Sequence, residues 1–129
     1  METKKYIRLQ DLEVYQLARK LSGVGWEIYD SMDWQTKKVM GDQFISATDS
    51  VGANIAEGYG RFHYLDKIKF FYNARGSLIE AADHWIGLLR ERGKVKDEQH
   101  KNFKQISEKI SLKLQNLITA VYKAKDNYK

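Results

Sequence analysis

"SVGANIAEGYGRF", Ser50 to Phe62, decides how the rest of the chain is read. Val51, Ile55 and Tyr59 recur at near-helical spacing, so the stretch reads as the last turns of an amphipathic helix. Gly58 and Gly60 then close it, and Arg61 follows at once. Gly60 suits the left-handed residue that often lies just past a helix end. Asn54 and Glu57 interrupt the apolar run just before the stop, which leaves a catalytic corner, a ligand loop and a packing device open as readings.

Upstream, the same helix reads back to Trp34–Thr36, giving a span of about 35–59, and it carries two apolar faces. Met40, Phe44, Thr48, Val51 and Ile55 form one. Ile45, Gly52, Ala56 and Tyr59 form a second, roughly 100° round the axis. Before it, Val14, Leu17, Leu21, Val24 and Ile28 mark a first helix over about 12–32, with Asp11 as N-cap. Gly23 and Gly25 weaken that helix and are tolerated where another backbone comes close. After it, Ile68, Phe71, Leu78, Ile79, Ala82, Trp85 and Leu89 mark a third helix over about 65–92, stopping at Gly93. Phe70, Ala74, Ala81 and Leu88 widen its apolar face, so it should be the most buried of the four. Phe103, Ile106, Ile110, Leu114, Leu117 and Val121 form a near-heptad seam on a fourth helix, about 98–124, capped by Asp97.

No strand-type alternation, repeat or low-complexity tract interrupts this pattern. The fold class is therefore all-α: one domain over 1–129, an antiparallel up-and-down four-helix bundle. The absence of proline favours such long helices. Apolar area beyond the needs of one bundle core points to an oligomer interface at Ile45, Gly52, Ala56 and Tyr59.

Cysteine is absent, which excludes disulfides, thiolate zinc sites and a cysteine nucleophile. No apolar run approaches the ~20 residues of a membrane span, and the N-terminus lacks a signal core, so the expected location is cytoplasmic. Residues 1–93 hold 13 basic and 13 acidic side chains; residues 94–129 hold nine lysines and four acids. All of the net charge of +5 therefore sits in the last quarter of the chain. Such a segment attracts phosphates or merely solvates a helix face. Lys101, Lys109, Lys113 and Lys123, with Arg61 or the N-terminal Lys4, Lys5 and Arg8, are the candidate nucleic-acid contacts. The tyrosines and tryptophans fall mostly on packing faces, so no aromatic platform for bases is expected.

Chemistry is sparse. The Glu-x-x-His pairs of bundle di-iron sites are missing, and Glu80 with His84 is the nearest approach. His63, His84 and His100 form no nucleophile–base set. Neither a P-loop nor a dinucleotide fingerprint is present. No enzyme, cofactor or metal is expected. Arg75 falls by helical angle amid the apolar face of the third helix, where it either pairs with Glu57, within or between subunits, or carries its head to the surface.

"ANIAEGYGR" (Ala53–Arg61), "ARGSLIEAADH" (Ala74–His84) and "DLEVYQLA" (Asp11–Ala18) closely resemble the four-helix-bundle proteins encoded in intervening sequences of bacterial 23S ribosomal RNA genes. The resemblance implies a ring-like homopentamer without established enzymatic activity. It also implies kinship with the accessory variability determinant of diversity-generating retroelements, a pentameric bundle that binds nucleic acid and a reverse transcriptase. Many members have proline at the position of Gly52 and another near the start of the second helix. Many have serine where this chain has His63. Asn54, Glu57, Gly58, Arg61, Arg75, Gly76 and Ser77 match the family motif and form the candidate structural or assembly site. The expected function is a non-enzymatic oligomeric scaffold associated with RNA or DNA. The alternative is a protein-interaction scaffold that docks a separately encoded enzyme such as a reverse transcriptase.

Overall fold

A computed structural model describes residues 7–128. After a short turn at Leu9–Asp11 come four helices: α1 (Glu13–Asp30), α2 (residues 34–60), α3 (residues 64–91) and α4 (Asp97–Asn127). There is no strand among the described residues. Each helix packs on its neighbours in sequence, and α4 returns to pack on α1. With links of three to five residues, this is the up-and-down bundle the periodicity predicts.

All four helices feed one core. Val14, Leu21 and Ile28 of α1 meet Met40, Phe44, Val51 and Ile55 of α2, Phe71, Leu78 and Leu89 of α3, and Phe103, Ile110 and Leu114 of α4. The Phe44 and Phe103 rings lie 5.3 Å apart at the centre. Thr48 and Ser107, both buried, donate to the carbonyls of Phe44 and Phe103 one turn back, so neither hydroxyl is stranded.

Helix α2, rather than α3, carries the most buried positions. Its small residues let neighbours come close. A Cβ on Gly25 of α1 would lie 2.9 Å from Thr48 Cγ2, so the α1 glycine opposite α2 is a packing requirement. Gly23 meets nothing and has no such role.

Both α2 and α3 contain a π-helical turn, at Lys37–Gly41 and Glu80–Trp85. A π turn holds an extra residue and re-phases the helix beyond it. In α3 this turns Ile86 into the core and leaves Trp85 half-buried, its Nε1 donating to Glu80 Oε2 at 2.9 Å. Ile79, expected in the core, is 50% exposed because the buried stripe runs through Ala74, Leu78 and Ala81.

The caps also differ from expectation. Asp11 closes the Leu9–Asp11 turn, and Leu12 precedes α1. Asp33 caps α2, accepting from the Thr36 backbone N–H at 2.8 Å and the Thr36 hydroxyl at 3.0 Å. His63 caps α3 with no side-chain hydrogen bond. Lys96 precedes α4, where Gln99 Oε1 accepts its backbone N–H at 3.2 Å, and Asp97 is the first helical residue. Gly93, at φ 68°, ends α3 in a Schellman arrangement: its N–H reaches Arg90 O, and the Lys94 N–H reaches Leu89 O. Gly60 is not left-handed; α2 simply runs into an extended Arg61.

Candidate functional site

Two helix ends and a three-residue link build the corner at residues 54–71. Asn54 Nδ2 donates to the Ser50 carbonyl at 2.9 Å, one turn back on its own helix. Glu57 and Arg61, four residues apart, form an ion pair on the exposed side. Exposed i,i+4 pairs of this kind contribute about 0.3–0.5 kcal/mol. The Arg61 guanidinium also lies 4.7 Å over the Phe70 ring.

Gly58 is buried where α2 and α3 come closest. An added Cβ there would lie 2.7 Å from Phe71 Cε1 and 3.1 Å from the Lys67 carbonyl. Lys67 Nζ donates to the Tyr59 carbonyl at 3.0 Å and reaches the Gly58 carbonyl at 3.5 Å. A cation is thus set on the last carbonyls of α2, where the helix dipole favours it. Partial burial holds the Lys67 ammonium below the usual lysine pKa. Lys67 was not among the sequence candidates; a lysine one turn into the next helix, across a three-residue link, was its only signal. Tyr59 donates its hydroxyl to the Ile7 carbonyl, which ties the incoming N-terminal segment to the same corner.

The second half of the motif lies elsewhere. Arg75 is exposed, with Nη1 3.5 Å from Gln115 Oε1 on α4. The expected Glu57–Arg75 pair does not form within the chain, because Arg75 looks toward α4 while Glu57 is held by Arg61. Within the chain, Arg75 carries its head to the surface. Gly76 is exposed with nothing near it, and Ser77 is half-buried. The seven motif residues therefore form two separate sets. The first lies at the α2–α3 corner, and the second lies on α3, where Arg75 alone reaches α4.

The second apolar face of α2 is covered in good part by α1. A Cβ on Gly52 would lie 3.6 Å from Ala18 Cβ, and Gly52 itself is buried within the chain. Part of the area expected between subunits at that residue is thus covered by α1, while Gly52 also lines the groove between the two helices. Ile45, Ala56 and Tyr59 are half-buried. Ala56 lines an open groove between α1 and α2, together with Gly23, Trp26, Gly52 and Ala53.

Among the predicted cations, Lys101, Lys109 and Lys123 are exposed on α4 and have no carboxylate partner among the described residues. Lys113 is held by Glu13 of α1 at 2.9 Å. Arg8 pairs with Asp11, while Lys4 and Lys5 lie outside the described residues. Tyr15, Tyr29 and Trp85 pack against the core as expected, but other aromatic residues are open. Trp26, Trp34, Phe62 and Tyr128 are all more than half exposed.

His100 is held below the usual histidine pKa by partial burial, then by the charges of Arg90 and Lys104. Among the described residues, no three His, Asp or Glu side chains gather where they could hold a metal. No helix there is long and apolar enough to cross a membrane.

This helical scaffold has a solved counterpart. A protein of unknown function from the S23 ribosomal protein family of Bacteroides thetaiotaomicron VPI-5482 superposes with a TM-score of 0.76 at 24% identity, covering 81% of this chain and 97% of that one. At that identity the likeness speaks for the fold. Comparison with curated proteins returns no match. The family model described as 23S rRNA-intervening sequence protein matches residues 10–116, which include the whole α2–α3 corner and most of α4. The chain belongs to the 23S rRNA-intervening sequence protein family.

Proposed function

We propose that this chain is a non-catalytic, oligomeric helical scaffold of the cytoplasm that associates with nucleic acid through the outer surface of α4. One observation carries the reading. All of the net charge lies after Gly93, and three of the lysines there, Lys101, Lys109 and Lys123, face solvent with no carboxylate partner among the described residues. The exposed Glu98 and Glu108 lie on the same helix, but nine lysines against four acids leave a positive surplus, which an oligomer would repeat into a field for phosphates. The groove between α1 and α2, floored by Gly52, Ala53 and Ala56 and edged by the exposed Trp26, supports self-association there.

Filter binding of RNA and DNA across a salt series tests the reading. Affinity should fall steeply with salt, with a log–log slope of about 0.7–0.9 per phosphate neutralised. Changing Lys101, Lys109 and Lys123 together to Gln should reduce both the affinity and the slope. Unchanged binding in that variant, or no binding at low salt, overturns the proposal.

A second reading rests on a different surface. Tyr72 and Ile79 of α3, with Leu112 and Tyr122 of α4, leave exposed apolar area along the α3–α4 face, which suits a docked protein. If the lysine variant binds nucleic acid unchanged, this scaffold reading takes precedence.

A further inference from the structure

The link between α2 and α3 presents the barest apolar side chain described in the chain. Phe62 is 89% exposed, and Leu65 beside it is 63% exposed. Among the described residues the one ring packed on Phe62 is His63, edge-on at 87° with centroids 5.3 Å apart, and at 89% exposure most of the Phe62 ring surface is open. More rings surround this end. Phe70 carries Arg61 above it at 4.7 Å and Lys69 at 5.8 Å, and Tyr64 meets Tyr128 at 6.2 Å. The Tyr64–Tyr128 contact brings the last turns of α4 alongside, with Lys123 and Lys125. Arg61, Lys67, Lys69, Lys123 and Lys125 therefore stand against Glu57, Asp66 and Asp126, a positive balance. Arg61 is paired with Glu57 and Lys125 with Asp126, but Lys69 and Lys123 are exposed without a carboxylate partner among the described residues.

We infer that this end of the bundle takes an unpaired nucleobase of a single-stranded nucleic acid, stacked on the Phe62 ring, with flanking phosphates held by Lys69 and Lys123. The inference rests on the nucleic-acid reading above and adds to the α4 surface a base-stacking site at its C-terminal end and the strand form. A base stack needs only one open ring face with cations close by, and it is indifferent to sequence because every base has a π-face. Other occupants fit less well. A membrane wedge needs a broad apolar face, whereas Phe62 and Leu65 stand beside the exposed Asp66. A peptide or helix ligand needs a groove, whereas Phe62 and Leu65 stand out from the surface at 89% and 63% exposure.

Fluorescence anisotropy at low salt decides the matter, using short dye-labelled RNA and DNA single strands of mixed sequence, their duplexes, and an abasic single strand. Phe62→Ala should weaken single-strand binding by roughly 5- to 100-fold, the range of one base–aromatic stack, and leave duplex binding unchanged. Phe62→Trp should restore it. The abasic strand should bind native and Phe62→Ala proteins alike. Phe62 is exposed, so the alanine variant should keep its helical circular dichroism. If Phe62→Ala binds single strands like the native chain while the Lys101, Lys109 and Lys123 variant does not, the inference falls and the proposed function stands. If the native chain binds no nucleic acid at low salt, both fall. If Phe62→Ala instead abolishes binding to anionic phosphatidylserine vesicles, or changes the sedimentation mass, with single-strand affinity intact, the inference is overturned in favour of a membrane or a second copy.

Discussion

An alanine at position 58 would set its Cβ 2.7 Å from Phe71 Cε1, and Phe71 is itself buried with no room to retreat. Overpacking a filled site costs about 1–3 kcal/mol. Gly58→Ala should therefore lower the unfolding midpoint clearly in a urea titration. Gly52→Ala is the control. Its Cβ would meet Ala18 at 3.6 Å, an ordinary contact, and alanine favours the helix, so stability should hold or rise. Equal losses in the two variants would show that the close approach at Gly58 is not what matters. Asp33 makes a separate prediction about acid. The hydrogen bonds from the Thr36 backbone and hydroxyl, then Lys94, hold its carboxyl below the usual aspartate pKa. The unfolded chain therefore binds the proton first, and this share of stability, present above the unfolded value near ~4, is lost as pH falls through the native value. Asparagine caps as well but does not titrate. The stability of Asp33→Asn should decline less steeply than the native chain over that acid window; parallel urea-midpoint curves would refute the role.

At the scale of elements, the two helix ends that read alike in sequence are built differently. Gly93 sits at φ 68° and completes a Schellman stop, whereas Gly60 lies within α2, has no positive φ and has open space around its Cα. Gly93→Ala should destabilise by about 1 kcal/mol, because a Cβ is strained in that conformation. Gly60→Ala should be neutral or stabilising by a few tenths of a kcal/mol through helix propensity. Thermal unfolding of the two single variants checks this, and a reversed order would mean that the stops are misassigned. Helix α2 is ended by other means. Lys67 occupies its last carbonyls, and Phe71 packs against Gly58, so the stop is imposed from α3.

For the whole molecule, the open question is how the bundle meets others of its kind. The α1–α2 groove keeps Ala56 half-buried beside Trp26, on the side where α2 has apolar area left after α1 has packed. If that groove seats a neighbouring subunit, Ala56→Arg should dissociate the oligomer, since an unpaired cation in an apolar contact costs several kcal/mol. Sedimentation equilibrium at micromolar concentration should give a multiple of 15.1 kDa for the native chain and about the monomer mass for the variant. A native chain that sediments as a monomer at every concentration would remove the oligomer from the proposal. A variant that keeps the native multiple would move the interface elsewhere, and the exposed Tyr72, Ile79, Leu112 and Tyr122 face would be the next candidate.

What the sequence determined by itself was whatever depends on local period and chain connectivity. Four stretches with a 3.6-residue apolar repeat and three short links leave few arrangements other than an antiparallel bundle. Met40, Phe44, Thr48, Val51 and Ile55 are all buried as their spacing required. The family motif was legible for the same reason, being a contiguous string. The tertiary structure alone decided the phase and the partners. An ideal helical wheel cannot anticipate the π turn at Glu80–Trp85, so it puts Trp85 in the core and misses Ile86, while Ile79, ahead of that turn, is left outside the stripe of Ala74, Leu78 and Ala81. Angles on one helix also cannot say which neighbour covers a face. They cannot show that Ala18 lies against Gly52, or that within the chain Arg75 looks toward Gln115 rather than Glu57. Phe62 is the plainest case. Its hydrophobicity argues for burial, and only the placement of the α2–α3 link on the outside of the bundle leaves it 89% exposed.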